Sequence, residues 1–197
     1  IGEKDNVLYV QIGTSGESGI SGGLVINGEI HSGLHGFAGE IGHMVIDPKG
    51  PECYCGRRGC WEAISDIYPL LKKINTWYPE KKLNQIDHFF KIVMDKYETD
   101  FKIKKMLDWY IDIQAEGITN LVHILNPGKI IIGGEITLLG DMFLERIRTR
   151  VHQKAMKPFL EEIQISLSSI EEESGILGAA STVLQHAVFL RQQQLGV

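Results

Sequence analysis

The sequence has few of the features that mark membrane or nucleic-acid-binding chains. No apolar run in its 197 residues approaches the roughly 18 that would suggest a membrane span. No secretory signal peptide is visible, which predicts a cytoplasmic protein. Basic residues are the minority, with 20 Lys and Arg against 25 Asp and Glu and a net charge of −5. That balance argues against nucleic-acid binding by this chain, because phosphate contacts need clustered basic side chains.

Basic side chains are concentrated in one stretch, which comprises Arg146, Arg148, Arg150, Lys154 and Lys157. Their spacing spreads around a helix, so we interpret them as a solvated helix face. The hydrophobic content of 43% is that of an ordinary globular protein. The chain opens at Ile1 and enters a strand-like run almost at once, so we expect it to be a piece of a longer protein.

Hydrophobic patterning predicts an α/β protein without internal repeats. Strands are predicted over 7–13, 129–134 and 163–168, and a hairpin over 24–30 turns at Asn27-Gly28, a pair favoured in type I′ turns. A glycine-rich loop is predicted over 14–23. A second, glycine-punctuated loop is predicted over 33–59, with a short strand at 43–46.

Helices are predicted over 61–75, 83–97, 103–125 and 140–156, with a last one from about Gly175. The third should end at Asn126-Pro127, since proline disfavours helical geometry in the residue before it. Its apolar residues follow the spacing of one buried face: Ile103, Met106, Leu107, Tyr110, Gly117, Ile118, Leu121, Val122 and Leu125.

All of the cysteines lie within eight positions, at Cys53, Cys55 and Cys60, and His43 precedes them by ten residues. Three thiolates with one imidazole form a ligand set of the type used for structural zinc, which leaves no position open for a catalytic water. The odd count and the expected cytoplasmic setting disfavour disulfides. Thiols without a metal are one alternative. A redox site is another, although the spacing is Cys-x-Cys-x₄-Cys rather than Cys-x-x-Cys.

Two carboxylates flank this ligand set, Glu40 on one side and Glu62 on the other. Closing the metal site would bring both near the same place. Carboxylates accept hydrogen bonds from paired hydroxyls such as those of a sugar. The alternative is that both are solvated surface charges.

The stretch "GFAGEIGHMVIDPKGPECYCGRRGCWE" resembles the signature of the ROK family, named for repressors, open reading frames and kinases. The shared pattern is Glu-x-Gly-His followed by Cys-x-Cys-Gly-x-x-Gly-Cys-x-Glu. Similarity extends to "LVINGEIHSG", "ILNPGKIIIGG" and "GILGAA", so it covers essentially the whole chain. It implies the C-terminal portion of a ribonuclease-H-like, actin-type α/β fold, as in sugar kinases, with an inserted zinc loop over 39–62. It also implies a homodimer or homotetramer.

The resemblance assigns roles to particular residues. It implies zinc ligands at His43, Cys53, Cys55 and Cys60. It implies sugar contacts at Glu40, His43 and Glu62. A nucleotide loop, vestigial in a regulator, would comprise Gly13, Thr14, Gly133 and Gly134.

Two departures separate the chain from the kinases of this family. Those kinases carry an Asp-x-Gly motif and a catalytic Asp after Asn in an N-terminal lobe, whereas neither pattern occurs here, so we assign no catalytic residue. The loop "GTSGESGISGG" is also longer than the phosphate loop of those kinases. It carries Glu17, whose charge would repel a triphosphate. An insertion that bulges outward is the alternative, since loops tolerate insertions.

The motif is closer to that of xylose- and N-acetylglucosamine-type repressors. It implies the effector-binding part of a ROK transcriptional regulator of sugar metabolism, with a monosaccharide effector. Operator DNA would then be bound through a helix-turn-helix upstream of residues 1–197. The other half of the sugar cleft would lie upstream as well. One alternative is the C-terminal part of an ATP-dependent ROK kinase acting on a hexose or N-acylhexosamine. Another is a zinc-ribbon interaction module, which needs neither an upstream Asn-Asp nor a helix-turn-helix.

Overall fold

A computed structural model describes residues 6–13, 19–79 and 86–170, together with Gly178. The chain divides into two compact units, Ile1–Leu167 and Ser168–Val197, and nearly all described residues belong to the first. The strands are β1 (Val7–Ile12), β2 (Ile20–Ile26), β3 (Glu29–Ile30), β4 (Lys129–Gly133) and β5 (Gln164–Leu167). The helices are α1 (Trp61–Ser65), α2 (Tyr68–Trp77), α3 (Ile86–Lys96), α4 (Phe101–Leu125) and α5 (Gly140–Lys154). Short 3-10 turns cover Ile41–His43, Glu135–Leu139 and Lys157–Phe159.

The five strands form one mixed sheet in the order β3-β2-β1-β4-β5. β1 pairs antiparallel with β2, and parallel with β4, which itself pairs parallel with β5. Val10, Ile130 and Ile132 of the central strands are fully buried, as expected for parallel strands covered on both faces. The carboxyl ends of β1 and β4 therefore lie side by side at one edge of the sheet, and the predicted α/β class is confirmed.

The hairpin forms where the sequence predicts it. Asn27 and Gly28 both have positive φ, at 53° and 81°, as a type I′ turn requires. The predicted loop over 14–23 is wrong at its C-terminal end, because residues 20–23 belong to β2. Pairing of Ile20 with Ile12 and of Gly22 with Val10 supplies backbone hydrogen bonds that outweigh the turn tendency of the glycines.

The predicted helix over 61–75 is divided into α1 and α2. Asp66 is extended, and its carboxylate accepts the backbone N–H of Tyr68 at 2.9 Å, which starts α2 anew. Pro69 follows in the first turn, where no backbone donor is needed. The predicted strand over 43–46 is also wrong, since it is reduced to the single bridge between Val45 and Cys60. The last predicted helix lies outside the described residues, Gly178 apart.

The long helix α4 follows the prediction closely. Asp100 caps its start by accepting the backbone N–H groups of Lys102 and Ile103 at 2.7 and 3.2 Å. Asn126 ends it in a left-handed conformation before Pro127. The predicted face is buried except for Leu125, which is half-buried. No helix within the described ranges combines the length and apolar character needed to cross a bilayer.

Three residues of the basic stretch form ion pairs with acids of α4, which the interpretation as a solvated face did not include, although Lys154 is exposed and Arg146 and Arg150 are partly exposed. Along the parallel α4 and α5, the ion pairs join Asp108 with Arg146, Asp112 with Arg150 and Glu116 with Lys154. The acids recur every four residues on one helix and the bases every four on the other, so the two rows meet in register.

Helix α1 packs on α4, and Trp61 lies at the centre of this contact. The indole is fully buried, and its N–H donates to Gln114 Oε1 at 3.0 Å. Gln114 Nε2 in turn donates to Ser65 Oγ at 2.9 Å. Gly117 lies directly beneath the indole, where a Cβ atom would overlap the ring. Trp61 therefore locks the residues on either side of it to α4.

We expect Gly117→Ala to destabilise the protein by about 1–3 kcal/mol in urea unfolding, because it overpacks the contact with Trp61. In an open helix the same change would stabilise by about 1 kcal/mol. Gly23→Ala is the control, since its added methyl would meet nothing closer than 3.7 Å. A Gly117→Ala protein as stable as wild type would contradict the close approach of α4 to the indole.

Candidate functional site

The segment between β3 and α1 folds back on itself through tight turns. Backbone N–H groups of Cys53 and Gly59 donate to the carbonyls of Arg57 and Pro51, both at 2.8 Å. Gly59 has a φ of 73° and sits against the Asp47 carbonyl, where a side chain would not fit. These turns bring residues that are far apart in the loop to one place.

Four side chains meet there: His43, Cys53, Cys55 and Cys60. One ligand atom from each lies within 4.8 Å of all the others. The sulfurs of Cys55 and Cys60 are 3.6 Å apart, and Cys53 Sγ is 3.6 Å from His43 Nδ1. Three soft sulfurs and an imidazole suit a borderline or soft metal ion, so this cluster could hold one.

The three cysteines are free thiols, and burial and hydrogen bonding shift their pKa values in different directions. Burial raises the pKa of Cys53 to about 12, and it also raises the pKa of Cys60. A hydrogen bond from the backbone of Arg57 lowers the pKa of Cys55. Metal ligation requires thiolates, so metal uptake would release the protons of Cys53 and Cys60.

Glu62 reaches into the cluster from the first turn of α1. Its Oε1 lies 3.0 Å from His43 Nδ1 and 3.0 Å from Cys53 Sγ. Its side chain is only 9% exposed. A Cβ atom at Gly42 would come within 3.2 Å of Oε2, so the glycine leaves room for this carboxylate.

Glu40 lies on the opposite side of the same imidazole. Its Oε2 is 3.9 Å from His43 Nε2, and its side chain is 62% exposed. The structure therefore brings together the three residues that the resemblance assigns to sugar contacts. Nδ1 of the ring faces Glu62 and the thiols, and Nε2 faces Glu40 and solvent.

Tyr54 is a site residue that the sequence analysis did not single out. Its Oη lies 3.1 Å from His43 Nε2, and the two rings meet edge to face with centroids 5.2 Å apart. The negative charge of Glu62 raises the pKa of Tyr54, so the phenol keeps its proton at neutral pH. Its position between Cys53 and Cys55 was the available signal, because a residue between two cluster members must lie beside the cluster.

A cavity of about 840 Å³ opens beside these residues. Its lining includes Glu40, Tyr54 and Glu62, Trp109 of α4, and Gly13 at the carboxyl end of β1. The structure thus places Gly13, one of the predicted nucleotide-loop residues, on the same cavity as the two carboxylates.

The other predicted nucleotide-loop residues differ in how they are placed. Gly133 and Gly134 lie at the end of β4, next to the end of β1. Gly134 has a φ of 91°, and it sits so close to the Ile12 carbonyl that a side chain would not fit. Thr14 lies outside the described residues.

Comparison with known proteins identifies relatives along nearly the whole chain. The model of the ROK family matches residues 2–186. The xylose repressor of Bacillus subtilis is 34% identical over 182 residues, which are 92% of this chain and 45% of that protein. The glucokinase of Thermotoga maritima is 31% identical over 193 residues, or 91% of this chain and 58% of that one.

Solved structures agree on the fold. A ROK family transcriptional regulator, homologous to the E. coli MLC protein, superposes with a TM-score of 0.74 at 22% identity, over 86% of this chain and 43% of that one. The expected actin-type, sugar-kinase-like α/β fold is thereby confirmed. The chain spans about half the length of the curated relatives it matches.

Proposed function

Because the chain belongs to the ROK family, we propose that it is the effector-binding part of a transcriptional regulator that responds to a monosaccharide. The observation that carries the proposal is the placement of His43, whose two ring nitrogens face different partners. Nδ1 faces the thiols, and Nε2 faces Glu40, which lines a cavity together with Glu62. One side chain can therefore serve a metal ion and a sugar at once.

The proposed metal is a structural zinc ion held by His43, Cys53, Cys55 and Cys60. A Cys₃His set is a common ligand set for structural zinc, and four protein ligands leave no site for a metal-bound water. The role of the ion is to hold the loop between β3 and α1 in one conformation. A redox site would account for the imidazole 3.6 Å from Cys53, but neither it nor thiols without metal accounts for four ligand atoms within 4.8 Å of one another.

The proposed sugar site consists of Glu40, His43 and Glu62. Carboxylate oxygens accept the hydroxyl protons of a sugar, and neighbouring hydroxyls can use both oxygens of one carboxylate. Metal ligation leaves Nδ1 and the Cys53 sulfur without protons. Neither can then donate to Glu62 Oε1, which lies 3.0 Å from each and becomes free to accept from a sugar. Sugar binding is thereby coupled to the metal.

Xylose is the first candidate effector, because a xylose repressor is among the relatives at 34% identity. In this proposal operator DNA is bound by a helix-turn-helix domain outside residues 1–197. An N-terminal lobe, also outside them, supplies the other half of the cleft. The acidic balance of this chain fits that division of labour. The complete protein would be a cytoplasmic homodimer or homotetramer.

A sugar kinase is the second candidate function. The observation that favours it is Gly13, which lines the same cavity as Glu40 and Glu62, where a phosphate donor would meet a sugar. Glu17 in the longer glycine loop, whose charge would repel a triphosphate, favours the regulator. A zinc-ribbon module, the third candidate, gives no account of a cavity with paired carboxylates.

A single experiment separates regulator from kinase. The complete protein is mixed with its operator fragment, and D-xylose and other monosaccharides are added with and without ATP. We expect one sugar to release the DNA without any ADP formation, because Glu17 in the extended glycine loop would repel a triphosphate. Sugar-dependent ADP release above background would overturn the regulator in favour of the kinase.

A further inference from the structure

Tyr54 contacts His43 Nε2, the ring nitrogen that the proposed sugar site needs. We propose that its phenol occupies the place of a sugar hydroxyl on His43 in the sugar-free protein and is displaced when the sugar binds. This inference rests on the proposed function. Its basis is the distance of 3.1 Å between Tyr54 Oη and His43 Nε2, on a cavity wall that also contains Glu40 and Glu62.

The two contacts exclude each other for a simple reason. When the proposed zinc ion takes Nδ1, which lies among the thiols, the single ring proton of a neutral imidazole lies on Nε2. One N–H group makes one good hydrogen bond, so it donates either to Tyr54 Oη or to a sugar oxygen. Tyr54 is therefore an internal competitor of the sugar rather than a bystander.

Displacement requires little rearrangement of the protein. Tyr54 is 84% exposed, and it meets the His43 ring edge to face rather than packing in the core. Its neighbours Cys53 and Cys55 hold the backbone, so rotation about the side-chain bonds suffices to move the phenol. The ring then leaves Nε2 to the sugar while the metal cluster stays as it is.

This arrangement makes Tyr54 a determinant of affinity. The hydrogen bond between Tyr54 and His43 stabilises the sugar-free protein. Sugar binding must break it, so the sugar binds more weakly by that amount of free energy. A sugar must offer a better acceptor to Nε2 than a phenol does. This cost is the same for every sugar, so Tyr54 lowers the affinity for all of them and leaves their order unchanged.

The test compares wild type, Tyr54→Phe and a control, Tyr68→Phe, in the complete zinc-loaded protein. Tyr68 is an exposed tyrosine of α2 that does not line the cavity. Calorimetric titration with D-xylose and other monosaccharides should show about 2- to 12-fold tighter binding by Tyr54→Phe, the affinity equivalent of one net hydrogen bond. The control should bind as wild type does, and all three should hold equal amounts of zinc.

Each other outcome has a definite meaning. Equal or weaker binding by Tyr54→Phe, with wild-type binding intact, overturns the competition, and weaker binding would make the phenol a sugar contact. Binding of no sugar by any of the three proteins rejects the proposed function, and with it this inference. If Tyr54→Phe loses zinc, the ¹⁵N resonance of His43 Nε2 in the wild-type protein tests instead whether the sugar displaces the phenol. It must shift on sugar addition as the hydrogen bond passes from phenol to sugar, and an unmoved resonance rejects the displacement.

Discussion

Cys60→Ser should lose the metal ion and lower the free energy of unfolding by at least about 4 kcal/mol, the range that loss of a bound metal can reach. Cys60 is fully buried, and it directly precedes α1. A serine hydroxyl is a poor ligand for a soft metal site. In the metal-free state it would be a buried polar group, which adds its own penalty.

Metal analysis of the purified protein, followed by urea unfolding, measures both effects. Glu52→Gln is the matched control, because Glu52 lies in the same loop and its one ion pair among the described residues is an exposed one with Arg58. It should keep one zinc ion per chain and change stability by less than about 0.5 kcal/mol, as surface substitutions do. Full zinc occupancy in Cys60→Ser would show that the ligand set has been assigned wrongly.

Glu62→Gln should weaken sugar binding by about 10- to 150-fold, which corresponds to about 1.5–3 kcal/mol for a hydrogen bond to a charged group. The amide keeps the shape of the side chain, but it replaces one acceptor oxygen by a donor. The effect should be large because the Glu62 side chain is only 9% exposed, so water screens the charge poorly.

Calorimetric titration of the complete protein measures this loss. Glu145→Gln serves as control, since Glu145 lies on the exposed side of α5 and pairs only with Arg148 among the described ion pairs. The control should bind sugar as wild type does. Should Glu62→Gln retain both its zinc and wild-type sugar affinity, the carboxylate is a structural partner of His43 and takes no part in recognition.

The elements that could be predicted from the sequence are those set by local chemistry. Asn27-Gly28 predicts its turn because few other pairs tolerate positive φ twice. Asn126-Pro127 ends α4 for a similarly local reason. The spacing of Cys53, Cys55 and Cys60 implies a cluster because short chain segments between ligands leave few other arrangements.

What could not be predicted depends on contacts between distant parts of the chain. Residues 20–23 form a strand only because β1 lies beside them. The basic stretch of α5 faces the acids of α4, and no local pattern indicates that pairing. Likewise, the distance from Tyr54 to His43 Nε2 results from how the loop closes, not from the separation of the two in sequence.

The most direct test of the account is one titration made twice. D-xylose and a panel of monosaccharides are titrated into the complete protein with its zinc and again after chelation, with folding checked by circular dichroism. The account predicts that one sugar binds the zinc-loaded protein and binds the stripped, still folded protein at least about 10-fold more weakly. That loss is the effect expected when ligands that hold binding groups in place are disturbed. Equal affinity in the two states would contradict the claim that the metal cluster orients His43 and Glu62 for the sugar.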